Sequence, residues 1–250
     1  MLRSVDIVGY GSFGKLAHTL LQRFAPDIEV CIFSSRAQPD SETFFSLEEV
    51  AQCDAVILAV PIHVFEEHVQ NIMPLVRPET VLVDVSTVKM HTGEILRRVV
   101  AGRPYLATHP MWGPESYQKR DGDVAGFRIV VTEHTLTQEI YAALRDTLEK
   151  IGFSIVEMSA EQHDRHLAET LFLTHFIGQI IAKGGFGRTE IDTVSFGSLM
   201  DAVESVKHDT ALFRDVCAFN PFCEEVLERL EIAEQDVHAL LEKRGAYVRA

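Results

Sequence analysis

The chain has 250 residues, 46% hydrophobic and 24% charged, a soluble globular composition with room for one large domain or two smaller ones. Its formal net charge of −14 argues against a nucleic-acid surface, which needs clustered Lys and Arg, but leaves room for a small anionic substrate held by a few local cations. Cys31, Cys53, Cys217 and Cys223 lack CxxC spacing and a completing histidine pair, so they read as reduced thiols of a cytoplasmic protein and no metal site is expected.

Val5-Asp6-Ile7-Val8 is a short β-rich run with no signal peptide before it. It ends in Gly9-Tyr10-Gly11-Ser12-Phe13-Gly14, a GxGxxG pattern, and Phe13, Leu16, Ala17, Leu20, Leu21 and Phe24 then recur at helical spacing. A glycine turn between strand and helix is the context of a dinucleotide site. Gly9 permits the turn, Gly11 lets backbone approach a pyrophosphate, Gly14 packs helix on strand, and the free N–H groups at Ser12 and Phe13 face the anion.

Ile28 to Phe33 reads as the second strand. An acid gripping an NAD ribose is expected about 20 residues beyond the glycines, but Ser34-Ser35-Arg36 stands there. Hydroxyls and a guanidinium suit the 2′-phosphate of NADP instead, so NAD is the less favoured cofactor.

Further strands are predicted at Ala55–Val60, Val81–Asp84, Tyr105–Thr108, Phe127–Thr132 and Ser154–Met158, and helices at Val64–Met73, Val88–Val100 and Leu136–Lys150. The alternation implies a mostly parallel sheet covered on both faces. The loop at Tyr117 to Asp123 reads as charged and mobile, either a lid or a plain connection. From Ala160 a long helix runs to Lys183, ended by Gly184-Gly185, and no strand signal follows. Its apolar stretch, Leu171 to Ala182, is too short to span a membrane. The remaining helices, including an amphipathic stretch at Val226–Leu241, hold a small core, so a homodimer is expected.

Asp84-Val85-Ser86-Thr87-Val88-Lys89 and Thr108-His109-Pro110-Met111-Trp112-Gly113 both follow strands at the carboxyl end of the sheet, where ligands collect. Pro110 holds His109 extended, and an imidazole titrating near neutrality is a good general base. His163 reads equally as a first-turn surface residue, and His175, among Leu171, Phe172, Leu173, Phe176 and Ile177, equally as a packed core histidine.

Taken in order, the glycine turn, the Asp84–Lys89 and Thr108–Gly113 segments, Val156-Glu157-Met158-Ser159, His163-Asp164-Arg165 and Thr174-His175 resemble the prephenate/arogenate dehydrogenase family over most of residues 4–180. The run from His109 to Ser116, Ser35-Arg36 and the stretch from Glu157 to Arg165 are most similar to its plant-type arogenate branch, which generally uses NADP. The resemblance implies a doubly wound Rossmann domain binding NADP over residues 1–158 and an all-helical substrate and dimerisation domain over 159–250. The implied reaction is oxidative decarboxylation of arogenate to tyrosine, or of prephenate to 4-hydroxyphenylpyruvate, with His109 the catalytic histidine. Thr87, at the family's usual serine position, would hold His109 and the substrate hydroxyl in register, and His175 would sit over the substrate. One departure is plain: residues 196–209 hold no arginine like those that bind substrate carboxylates in many bacterial members, leaving Lys207, Arg188 and Gln179 as candidates. Asp121 lies near the position where an acid accompanies arogenate preference, through the substrate amine. Other readings are a related reductase with a catalytic lysine on the long helix, for which Lys183 comes too late, and a non-catalytic NADP sensor.

Overall fold

The computed structural model describes residues 2–40 and 42–247, with side chains through residue 241. It divides into two units, Met1–His163 and Asp164–Ala250, so the division falls between His163 and Asp164.

The first unit is built on β1 (Val5–Val8), β2 (Ile32–Phe33), β3 (Ala55–Leu58), β4 (Val81–Asp84), β5 (Tyr105–Pro110), β6 (Arg128–His134) and β7 (Ser154–Glu157). Their order in the sheet is β2-β1-β3-β4-β5-β6-β7. All neighbours run parallel except β5 and β6, which are antiparallel. The helices are α1 (Ser12–Phe24), α2 (Leu47–Val50), α3 (Phe65–Ile72), α4 (Lys89–Val99), α5 (Pro114–Lys119) and α6 (Gln138–Ile151). Because side chains alternate across a strand, Val8, Val56, Leu58 and Leu82 meet Phe65, Val69, Ile72, Ile95 and Leu96 in one core. Ile7 instead joins Ala17 and Ile32 in another. The sheet is thus apolar on both faces, as a covered parallel sheet must be. This is a Rossmann-like α/β architecture.

Three local differences from the sequence reading have physical causes. β2 is two residues long because the Asp6 carboxylate accepts the Cys31 N–H (2.9 Å), so residues 28–31 meet β1 through the isolated Ser4–Glu29 bridge and the Ile7 N–H on the Cys31 carbonyl (2.9 Å). The polar connection after β5 is folded rather than loose. It carries α5, with Pro at its start, and then a turn through Asp121 (φ 50°) and Gly122. Arg23 clamps that turn to α1 by donating to the Gly122 carbonyl (2.7 Å) and the Tyr117 hydroxyl (3.0 Å). α2 went unread although Ser46 and Glu49 form a capping box, its usual sequence signature.

The second unit is all-helical. It takes in the end of α7 (Ala160–Leu167), a π-helical turn (Ala168–Phe172), α8 (Leu173–Lys183), α9 (Val194–Val206), α10 (Thr210–Phe219) and α11 (Cys223–Tyr247). α8 packs closely on α9 because Gly178 offers no side chain: a Cβ there would lie 2.4 Å from Val206 Cγ2. Among the described residues, no helix is long and apolar enough to cross a membrane.

Gly178→Ala should therefore overpack the α8–α9 contact and cost about 1–3 kcal/mol, read as a lower urea midpoint. An unchanged midpoint would show that the two helices separate freely.

Candidate active site

The turn from β1 into α1 has the form of an anion cradle. A Cβ on Gly9 (φ 101°) would lie 2.4 Å from the Ala59 carbonyl oxygen, and one on Gly14 2.0 Å from the Gly9 oxygen, so both are glycines by steric necessity. Gly11 differs: nothing lies within 4 Å of a Cβ built there. As the N-cap of α1 it has no side-chain cap, and the first turn holds no acid, so the helix start presents N–H groups and a positive dipole outward. Ser12 is exposed there, whereas the Phe13 ring turns inward onto Trp112 (6.1 Å between centroids). Past β2, Ser34 is half-buried, its Oγ accepting the Arg36 N–H (3.3 Å), and Ser35 and Arg36 are exposed. Among the described residues the Arg36 guanidinium has no partner. These features fit a phosphate-bearing dinucleotide.

At the carboxyl end of β4 sits a buried ion pair. Lys89 Nζ, fully buried at the first residue of α4, donates to Asp84 Oδ2 (2.5 Å) and to the Thr108 carbonyl on β5 (2.6 Å). Thr92 Oγ1 donates to the same carboxylate oxygen (2.7 Å), the Ser86 N–H to Oδ1 (2.7 Å), and Thr108 Oγ1 to the Asp84 carbonyl (2.7 Å). Both charges are thus satisfied by groups from three elements, which is what makes such a burial tolerable.

His109 follows Thr108 directly and is 5% exposed. Its Nδ1 lies 2.9 Å from Nε2 of His163, which is 2% exposed, with the rings edge to face at 76°. Burial drives the His109 pKa well below the usual 6.5, and the neighbouring His163 and the Lys89 ammonium push the same way. His109 is therefore a neutral imidazole near pH 7, able to accept a proton.

His163 is thus a buried partner of His109 and not a surface residue. Thr87 is half-buried on the β4–α4 turn and makes no hydrogen bond to His109, whose Nδ1 lies against His163 instead. Asp121 is exposed, and its backbone N–H donates to the Gln118 carbonyl. In the helical unit, Gln179 is engaged structurally: its Nε2 donates to the Val206 and Lys207 carbonyls (3.3 and 3.1 Å), capping α9. Arg188 pairs with Asp201 and Glu204. These contacts weigh against both as carboxylate anchors. Lys207, at the end of α9, is half-buried. His175 is buried against Phe213 with its pKa lowered by that burial, and its Nδ1 has no partner among the described residues.

The family model described as "Prephenate dehydrogenase, nucleotide-binding domain" matches residues 38–157, and one described as "TYRAAT1-like, C-terminal domain" matches 180–249. The first match begins downstream of the glycine turn, which rests on its own geometry. Arogenate dehydrogenase 2, chloroplastic, of Arabidopsis thaliana is 29% identical over 93% of this chain and 68% of its own length. For arogenate dehydrogenase 1 of the same plant the values are 27%, 95% and 39%. The cyclohexadienyl dehydrogenase of Zymomonas mobilis is 28% identical over 97% of this chain and 92% of its own. Among solved structures, prephenate dehydrogenase from A. aeolicus in complex with hydroxyphenyl propionate and NAD+ superposes with a TM-score of 0.76 at 18% identity, covering 98% of this chain and 92% of that one. Synechocystis arogenate dehydrogenase gives 0.65 at 18%, covering 95% and 90%. At that identity the structural likeness bears on the fold alone.

Removing one member of the buried pair should be far worse than removing both. Lys89→Met is expected to cost about 3–5 kcal/mol by stranding the Asp84 carboxylate, and Asp84→Asn with Lys89→Met to recover part of that loss. Equal losses in urea unfolding would contradict the charge argument.

Proposed function

We propose that this chain, which belongs to the prephenate/arogenate dehydrogenase family, carries out the NADP-dependent oxidative decarboxylation of arogenate to tyrosine. The observation that carries the proposal is His109: a neutral, buried imidazole at the carboxyl end of the sheet strand that follows the β4 ion pair. In the reaction the ring carbon bearing the hydroxyl gives up its hydrogen as hydride while the ring carboxylate leaves as carbon dioxide; His109 accepts the hydroxyl proton during the transfer and returns it to the oxygen of the aromatic product. A nicotinamide dinucleotide, when bound, supplies the hydride acceptor. Gly9, Gly11 and Gly14, with the N–H groups of Ser12 and Phe13, would hold its pyrophosphate. Ser34, Ser35 and Arg36 would hold the 2′-phosphate of NADP; Arg36 supports this as an exposed guanidinium without a partner among the described residues.

Thr87 would contact the substrate hydroxyl, and Asp121 the ammonium that arogenate carries where prephenate has a keto group. Within the helical unit, His175 and Lys207 are the side chains we assign to substrate binding. That unit also exposes large apolar side chains, among them Phe186, Ile191, Val194, Val237 and Leu240, and we assign it the homodimer contact. The four free thiols suit a cytoplasmic enzyme.

His109→Asn should lower kcat by about 10²–10⁴ while leaving NADP affinity unchanged, with arogenate preferred to prephenate in kcat/KM. Because the folded pKa of His109 lies below 6.5, the base stays unprotonated as pH falls through 6.5, and the acid limb of kcat/KM should appear below that value. Full activity in the variant would reject the assignment. For the cofactor, Arg36→Ala should raise the KM for NADP about tenfold or more, the worth of a charge-assisted bond, and leave that for NAD nearly unchanged. Equal effects on both would refute NADP preference.

A further inference from the structure

We propose that His163 is the positioning residue of His109: its Nε2 accepts the His109 Nδ1–H, which leaves the lone pair of His109 Nε2 free for the substrate hydroxyl. This rests on the reading of His109 as the base. A neutral imidazole has one N–H and one lone pair, so in a pair joined at 2.9 Å one ring must donate. If His163 donated, the proton of His109 would sit on Nε2 and the ring could not accept there. Both rings are buried, His109 is held neutral, and the nearby cation, Lys89, is engaged by Asp84. As His109 becomes an imidazolium, its Nδ1–H bond to His163 becomes charge-assisted and strengthens, so the pair stabilises the protonated state of the base.

The fold delivers His163 to this position. Thr108 on β5 is level with Val131 on β6, which is level with Glu157 at the end of β7. β7 therefore passes the level of His109 at Val156 and ends one residue beyond it. The chain then turns at once into α7, whose first turn is fixed reciprocally by Ser159 and Gln162: the Gln162 N–H donates to Ser159 Oγ (3.1 Å), and the Ser159 N–H to Gln162 Oε1 (3.3 Å). This capping box, with the His163 N–H on the Ser159 carbonyl (3.0 Å), sets the residue that faces β5. A base oriented by a second group is a recurring arrangement, and loss of the orienting group alone costs as much as about 10⁴ in rate.

The test uses the full chain with His163→Phe, His163→Gln and His109→Asn, assayed with NADP and both arogenate and prephenate. His163→Phe keeps the ring but removes the acceptor, and should lower kcat about 10²-fold with KM for NADP unchanged. His163→Gln restores an acceptor oxygen and should recover at least about tenfold over the phenylalanine variant, a rescue that a packing role would not give. Independently of activity, ¹⁵N NMR of the wild-type protein should show His109 with a bare Nε2 and a protonated Nδ1, and mixed tautomers in His163→Phe. A wild-type spectrum with the proton on Nε2, or a wild-type kcat in His163→Phe, overturns the inference. If His109→Asn itself stays active, the catalytic reading fails while the NMR result still decides who orients the ring.

Discussion

Everything at the carboxyl end of this sheet hangs on the pairing of Asp84 with Lys89. The carboxylate ends β4, the ammonium begins α4, and the same ammonium holds the Thr108 carbonyl on β5. Three elements are thereby pinned at one point. Such a pair offers little net stability over an apolar replacement. What it does offer is position: the residue after Thr108 is His109, and its Cα cannot drift while Thr108 is held at both its carbonyl and its hydroxyl.

The pair also sets the electrical character of the site. An ammonium near His109 opposes protonation of the imidazole, adding to the effect of burial. Burial keeps water off the base, and neutrality is the condition for it to accept a proton. One lysine therefore acts as both strut and field source.

How far the sequence spoke depended on whether a feature is local. The glycine turn, the strands from β3 to β7 and the long helix from Ala160 are written in runs of a few residues, and each formed close to its expected place. The short second strand was not legible, because its late start comes from the Asp6 carboxylate reaching across to Cys31, a contact between residues 25 positions apart. His163 was harder still. In sequence it looks like any polar residue in a first helical turn, and only the register of β5, β6 and β7 reveals that this turn abuts His109. The hydrogen bond joins residues 54 positions apart. Likewise Gln179 offered the amide a substrate carboxylate would want, but the end of α9 had already taken it.

The three glycines of the opening turn are not equally informative. Gly9 and Gly14 have no room for a methyl group, so any protein that folds this way must keep them whether or not it binds anything. Gly11 has open space in front of it and no positive φ that would demand glycine. Folding gives no reason for a bare backbone at that position. Of a signature usually read as one unit, two letters therefore report the architecture, and the third alone carries the trace of a molecule that must come close.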